Sequence, residues 1–109
     1  MYAQLTYFNG SRTPEQVAAA DFAVQERIMP AVSQLGHPVT AYVLRRDDGS
    51  EVTIVIGDSE QALLDVQKAI MSTQLLPGED QALLPGPDRI ELFPVAHVHD
   101  LNPANASRS

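Results

Sequence analysis

At 109 residues the chain has room for one hydrophobic core, since domains run to roughly 100–150 residues, and its 44% hydrophobic and 19% charged content is that of a globular domain. Fourteen acids against seven bases give a net charge of −7, which argues against nucleic acid or an anionic membrane as partner. With no cysteine there is no disulfide framework, thiolate nucleophile, Fe–S cluster or Cys-ligated zinc; no apolar run reaches the ~18 residues of a membrane span, and the opening Met-Tyr-Ala-Gln lacks a leader pattern, so the expectation is a small, soluble, cytoplasmic domain.

Residues 2–8, rich in β-branched and aromatic side chains and stopped by Asn9-Gly10, predict a strand and a turn. Thr13, Pro14 and Gln16 have the spacing of a capping box with proline in the first helical position. Val17, Ala20, Val24, Ile28, Ala31 and Leu35 then recur at helical spacing, with Phe22, Met29 and Val32 widening the stripe. Pro30 cannot donate to the Glu26 carbonyl and predicts a kink; the helix is expected to end near Gly36 and Pro38. Strands over 39–46 and 51–57 are joined by Asp47-Asp48-Gly49-Ser50, a hairpin signal. Asp58-Ser59-Glu60-Gln61 starts a second helix, whose stripe runs Leu63 or Leu64, Val66 or Gln67, Ile70, Met71 and Gln74. Residues 77–88, with three prolines and two glycines, read as a loop, 89–98 as a last strand and 99–109 as a polar tail.

The order β-α-β-β-α-β is the ferredoxin-like arrangement within the α+β class: a four-stranded antiparallel sheet with two helices on one face. The strands do not alternate cleanly between apolar and polar. Val52, Ile54 and Ile56 share one side and Thr53 and Val55 the other; Val39, Ala41 and Val43 oppose Thr40, Tyr42 and Leu44; Leu5 and Tyr7 oppose Tyr2 and Phe8. A sheet with one wet face should alternate, so the expectation is a homodimer packed sheet against sheet. Leu101 and Pro103 are expected to anchor the tail on the neighbouring subunit.

Three stretches carry a family resemblance over about residues 2–98: Met1 to Phe8; Glu26-Arg27-Ile28-Met29-Pro30-Ala31-Val32 with Leu35-Gly36; and Ile56-Gly57-Asp58-Ser59-Glu60-Gln61-Ala62-Leu63. Together they resemble the dimeric α+β barrel superfamily and, within it, the small antibiotic-biosynthesis-monooxygenase-like proteins. That resemblance implies a dimeric α+β barrel and a cofactor-independent oxidoreductase acting on an aromatic or quinol-type substrate, held by polar groups between sheet and helices. Tyr7, Asn9, His37 and Tyr42 are the candidates for those catalytic groups, and Phe22 and Met29 for the pocket lining. The haem-degrading branch uses an asparagine, a tryptophan and a helical histidine. Only Asn9 matches, the chain has no tryptophan, and the second helix has no histidine, so neither haem nor flavin is expected.

Each candidate also has a plain structural reading. Asn9-Gly10 is first a turn pair, His37 a helix-end residue, and the tyrosines and Phe22 and Met29 ordinary packing. His97 and His99 project from one side of a strand beside Asp100 and are the candidate metal ligands, but two imidazoles and one acid are a sparse set, and the reading is no metal centre. Arg45-Arg46-Asp47-Asp48 reads as a solvated hairpin tip, and Glu79, Asp80 and Asp88 as loop acids too mobile for paired-carboxylate catalysis. Two alternatives stand beside the oxygenase reading: a non-catalytic module binding a small apolar molecule, and a structural or regulatory dimer.

Overall fold

The computed structural model describes residues 1–102. Strand β1 (Tyr2–Phe8) leads into a helical arm made of α1 (Pro14–Ala23), a π-helical turn (Val24–Ile28) and α2 (Met29–Ser33). Strands β2 (Val39–Arg45) and β3 (Glu51–Gly57) follow, then α3 (Glu60–Met71), a 3₁₀ turn (Gln81–Leu83) and β4 (Arg89–Pro94). The sheet has the order β2-β3-β1-β4, with every pairing antiparallel. The architecture is α+β and ferredoxin-like, as the element order predicts.

Local chemistry sets the boundaries. The Thr13 hydroxyl accepts from the Gln16 N–H at 3.1 Å, and the Gln16 side chain accepts from the Thr13 N–H at 2.9 Å, the reciprocal capping box. Ser59 caps α3 by accepting from the Ala62 N–H at 3.1 Å. At the other end of α3 the Ser72 and Thr73 hydroxyls donate to the Lys68 and Ile70 carbonyls, at 2.8 and 2.7 Å. These bonds draw the chain out of the helix, which is why Gln74 lies beyond it and Met71 is exposed. Strand β4 stops at Pro94 rather than continuing to Val98: β1 begins at Tyr2, opposite Pro94, and after Val95 donates to the Met1 carbonyl no partner backbone remains.

Pro30 does more than kink the helix. The turn before it widens to a π-turn, in which the Met29 N–H reaches the Val24 carbonyl five residues back. A wider turn relieves the clash of the proline ring with the preceding carbonyls. It also adds a residue to the helical period. Consequently Ala23, which is off the predicted stripe, is the fully buried residue of the arm, while Val17, Ala20, Val24, Ile28 and Ala31 are half-buried and Leu35 is exposed.

Register fixes the two faces of the sheet, because directly opposed residues share a side. Asp21 of α1 and Leu63 of α3 reach Arg45 and Gly57, so the helices cover the face bearing Gln4, Thr6, Glu51, Thr53, Val55 and Ala41. The opposite face bears Ala3, Leu5, Tyr7, Val52, Ile54, Ile56, Tyr42 and Leu44, with Thr40 on β2 and Arg89, Glu91 and Phe93 on β4. The open face is thus the more apolar one. Among the described residues the buried apolar side chains are Ala23, Ala62, Leu63 and Val66, a very small core for the chain.

The β2–β3 hairpin is tied to the start of the helical arm. Glu51, with 8% of its side chain exposed, accepts from Arg12 Nη2 at 2.8 Å and Arg45 Nε at 2.9 Å, and Arg45 Nη2 donates to Asp21 at 2.7 Å. Arg45 is therefore not part of a solvated tip; it joins hairpin to helix. Gly49 has φ +87°, and an added Cβ would lie 2.7 Å from the Arg12 carbonyl oxygen, so only glycine fits where the tip meets the arm. Leu63, 1% exposed, is the central core side chain. Leu63→Ala should lower unfolding stability by about 2–5 kcal/mol, and chemical denaturation of the two proteins measures it.

Candidate functional site

Three consecutive residues from each of three adjacent strands or their ends line the largest hollow described, about 410 Å³: Tyr7-Phe8-Asn9, Leu44-Arg45-Arg46 and Ser50-Glu51-Val52. No helix residue lines it, so it opens on the uncovered side, at the hairpin end of the sheet. Tyr7, Val52 and Leu44 form one cross-strand row on that face. The same alternation carries Asn9, Ser50 and Arg46 to the next row. The Arg89 guanidinium lies 4.3 Å from the centre of the Tyr7 ring and pairs with Glu91 at 3.2 Å, a cation–π contact that steadies the ring. The Asn9 N–H donates to Asp88 at 2.6 Å, and Asp88 in turn donates its own N–H to the Tyr7 carbonyl at 2.8 Å.

Of the sequence candidates, the structure brings Tyr7 and Asn9 together here. Tyr42 lies on the same face, opposite Ile54, and is 53% exposed. Both tyrosines thus face away from the helices and do not line a pocket between helices and sheet. His37 is remote from them: its Nε2 lies 3.1 Å from Asp65 of α3, whose carboxylate is held below its ordinary range first by the Gln61 amide and then by His37. Phe22 lines a second hollow of about 270 Å³, shared by Ala19 of α1 and residues 77–80, 83 and 84. Met29 is exposed and lines neither hollow. The His97 and His99 rings are 5.8 Å apart, but among the described residues no three histidine or acidic side chains converge as a metal-ligand set. Leu101 is exposed, and Pro103 lies outside the described residues.

The hollow also contains residues the sequence reading did not select: Leu44, Arg46 and Val52. Among the described residues the Tyr7 hydroxyl, the Asn9 amide and the Arg46 guanidinium have no hydrogen-bond partner. The nearby carboxylates are engaged. Glu51 is held by the two arginines, and Asp48 accepts from the Ser50 hydroxyl at 2.6 Å and its N–H at 2.9 Å, which holds it below its usual range. The signal that could have found this site is parity: Tyr7, Leu44 and Val52 occupy one row, and Arg46 and Asn9 lie two residues beyond members of it.

The loop after α3 is not the mobile segment its composition suggests. Glu79, with 2% of its side chain exposed, accepts from Arg27 Nε at 2.8 Å and Nη2 at 3.3 Å and from the Leu76 N–H at 2.7 Å. Arg27 also donates to the Thr73 hydroxyl at 2.6 Å. Arg27 sits in the π-turn, which aims it at the loop. Models of known protein families and curated proteins give no match to the chain.

Arg27, followed by the Leu76 N–H, holds the Glu79 carboxyl below the usual range. A carboxyl depressed on folding contributes stability above its unfolded pKa of ~4.3 and loses that contribution as pH falls through its lower folded value. Glu79→Gln should therefore melt below the wild type at neutral pH, with the gap closing as pH drops below the ordinary carboxylate range. Thermal melts of both proteins across that range test it.

Proposed function

We propose that this protein binds a small aromatic or quinol-type molecule in the hollow at the hairpin end of its open sheet face, and that it does so as a homodimer joined through that face. The observation that carries the binding reading is the hollow itself: three unpartnered polar groups, from Tyr7, Asn9 and Arg46, around an apolar floor of Leu44 and Val52. Ligand sites combine apolar walls with a few convergent polar groups, and about 410 Å³ lies within the usual range of ~300–1,000 Å³.

The dimer reading rests on area. Four strands spaced ~4.8 Å apart and about seven residues long at ~3.3 Å each present roughly 440 Å² of face before side-chain relief is counted. That is as large as the apolar patches monomers ordinarily tolerate. Two such faces with their relief supply the ~1,000 Å² of a specific interface. Arg89, Glu91 and Thr40 lie toward the outer strands and would form its polar rim. The hollow would then sit at the end of the interface.

Oxygenation of the bound molecule without a cofactor, the activity implied by the dimeric α+β barrel resemblance, is a second reading. The meeting of Tyr7 and Asn9 in one hollow favours it. Titration with 2-naphthol, followed by amide chemical shifts, should move Tyr7, Asn9 and Val52 and leave Phe22, in the other hollow, unmoved. Shifts confined to Phe22 and residues 77–84, or no shifts, would contradict the binding reading. Oxygen uptake with a dihydroxynaphthalene, lost in Asn9→Ala, separates the catalytic reading from simple binding.

A further inference from the structure

The charges around the hollow are unequally satisfied. Glu51 is bound by Arg12 and Arg45, and Arg45 by Asp21. Asp48 is taken up by Ser50, Asp88 by the Asn9 N–H, and Arg89 by Glu91 and the Tyr7 ring. Arg46, at the lip, has only backbone bonds: its N–H donates to the Ser50 carbonyl at 2.9 Å and its carbonyl accepts from Gly49 at 2.9 Å. Asp47 follows it in the turn, and no ion pair joins the two. A planar guanidinium with no fixed counter-ion stands beside the Asn9 amide and above an apolar floor.

Resting on the binding reading above, we propose that the hollow selects an aromatic molecule bearing an anionic group, a carboxylate or phenolate. The anion sits on Arg46 and Asn9, and the ring lies over Leu44 and Val52 against Tyr7. A guanidinium presents paired N–H donors matched to a carboxylate. The net charge of −7 disfavours anions at long range, but that field is screened beyond ~8 Å at physiological salt, so the contact with Arg46 decides the preference.

The test compares three probes of one shape by isothermal titration: 2-naphthoate, 2-naphthalenemethanol and 2-naphthylmethylammonium. The naphthoate should bind about 10- to 100-fold tighter than the alcohol, the range expected of a charged hydrogen bond, and the ammonium weakest. Arg46→Gln, a change at an exposed hairpin position that melting confirms as folded, should abolish the preference and leave affinity for the alcohol unchanged. Equal binding of naphthoate and alcohol, or a preference that survives Arg46→Gln, overturns the inference while leaving the hollow an aromatic site. No binding of any probe overturns the binding reading, and this inference with it.

Discussion

A sheet has two faces, and the helices of this chain cover only one. Alternation along the strands puts Gln4, Thr6, Glu51 and Thr53 under the helices and Leu5, Tyr7, Val52, Ile54, Ile56 and Leu44 on the side they leave open. That distribution is the reverse of a sheet with one wet face, in which the apolar side chains would lie beneath the helices. It explains why so few apolar side chains are fully buried: much of the hydrophobic surface points the other way. A second copy of the open face would remove it from water, at roughly 25 cal/mol per Å² of apolar area.

With so small a core, ion pairs hold the parts together. Glu51 joins the hairpin to the first helix through Arg12 and Arg45, and Glu79 joins the loop after α3 to the π-turn through Arg27. Both carboxylates are nearly inaccessible, so loss of either arginine leaves a desolvated charge rather than merely a missing contact. The hairpin anchor also positions the site: by fixing the ends of β2 and β3 it sets Leu44, Arg46 and Val52 beside Tyr7 and Asn9.

The caps at Thr13 and Ser59, the Gly49 hairpin and the strand order were legible because each depends on neighbours a few residues apart. The helical stripe was legible only as far as the π-turn, where an inserted residue shifts the period and brings Ala23 inward. The Arg27–Glu79 pair spans 52 residues and leaves no periodic trace. The composition of its loop pointed instead to mobility. The site was half legible: Tyr7 and Asn9 stood out by residue type, but His37 was drawn to Asp65 and Tyr42 lies a row away. Arg46 was hidden by its place in a charged turn, because only the structure shows which of its neighbours are already paired.

Sedimentation equilibrium at micromolar concentration tests the central claim, that a second copy covers the open face, most directly. The account predicts twice the chain mass for the wild type and a folded species of single-chain mass for Ile54→Lys, which places a charge at the centre of that face. A wild-type monomer, or a dimer indifferent to Ile54→Lys, would contradict it.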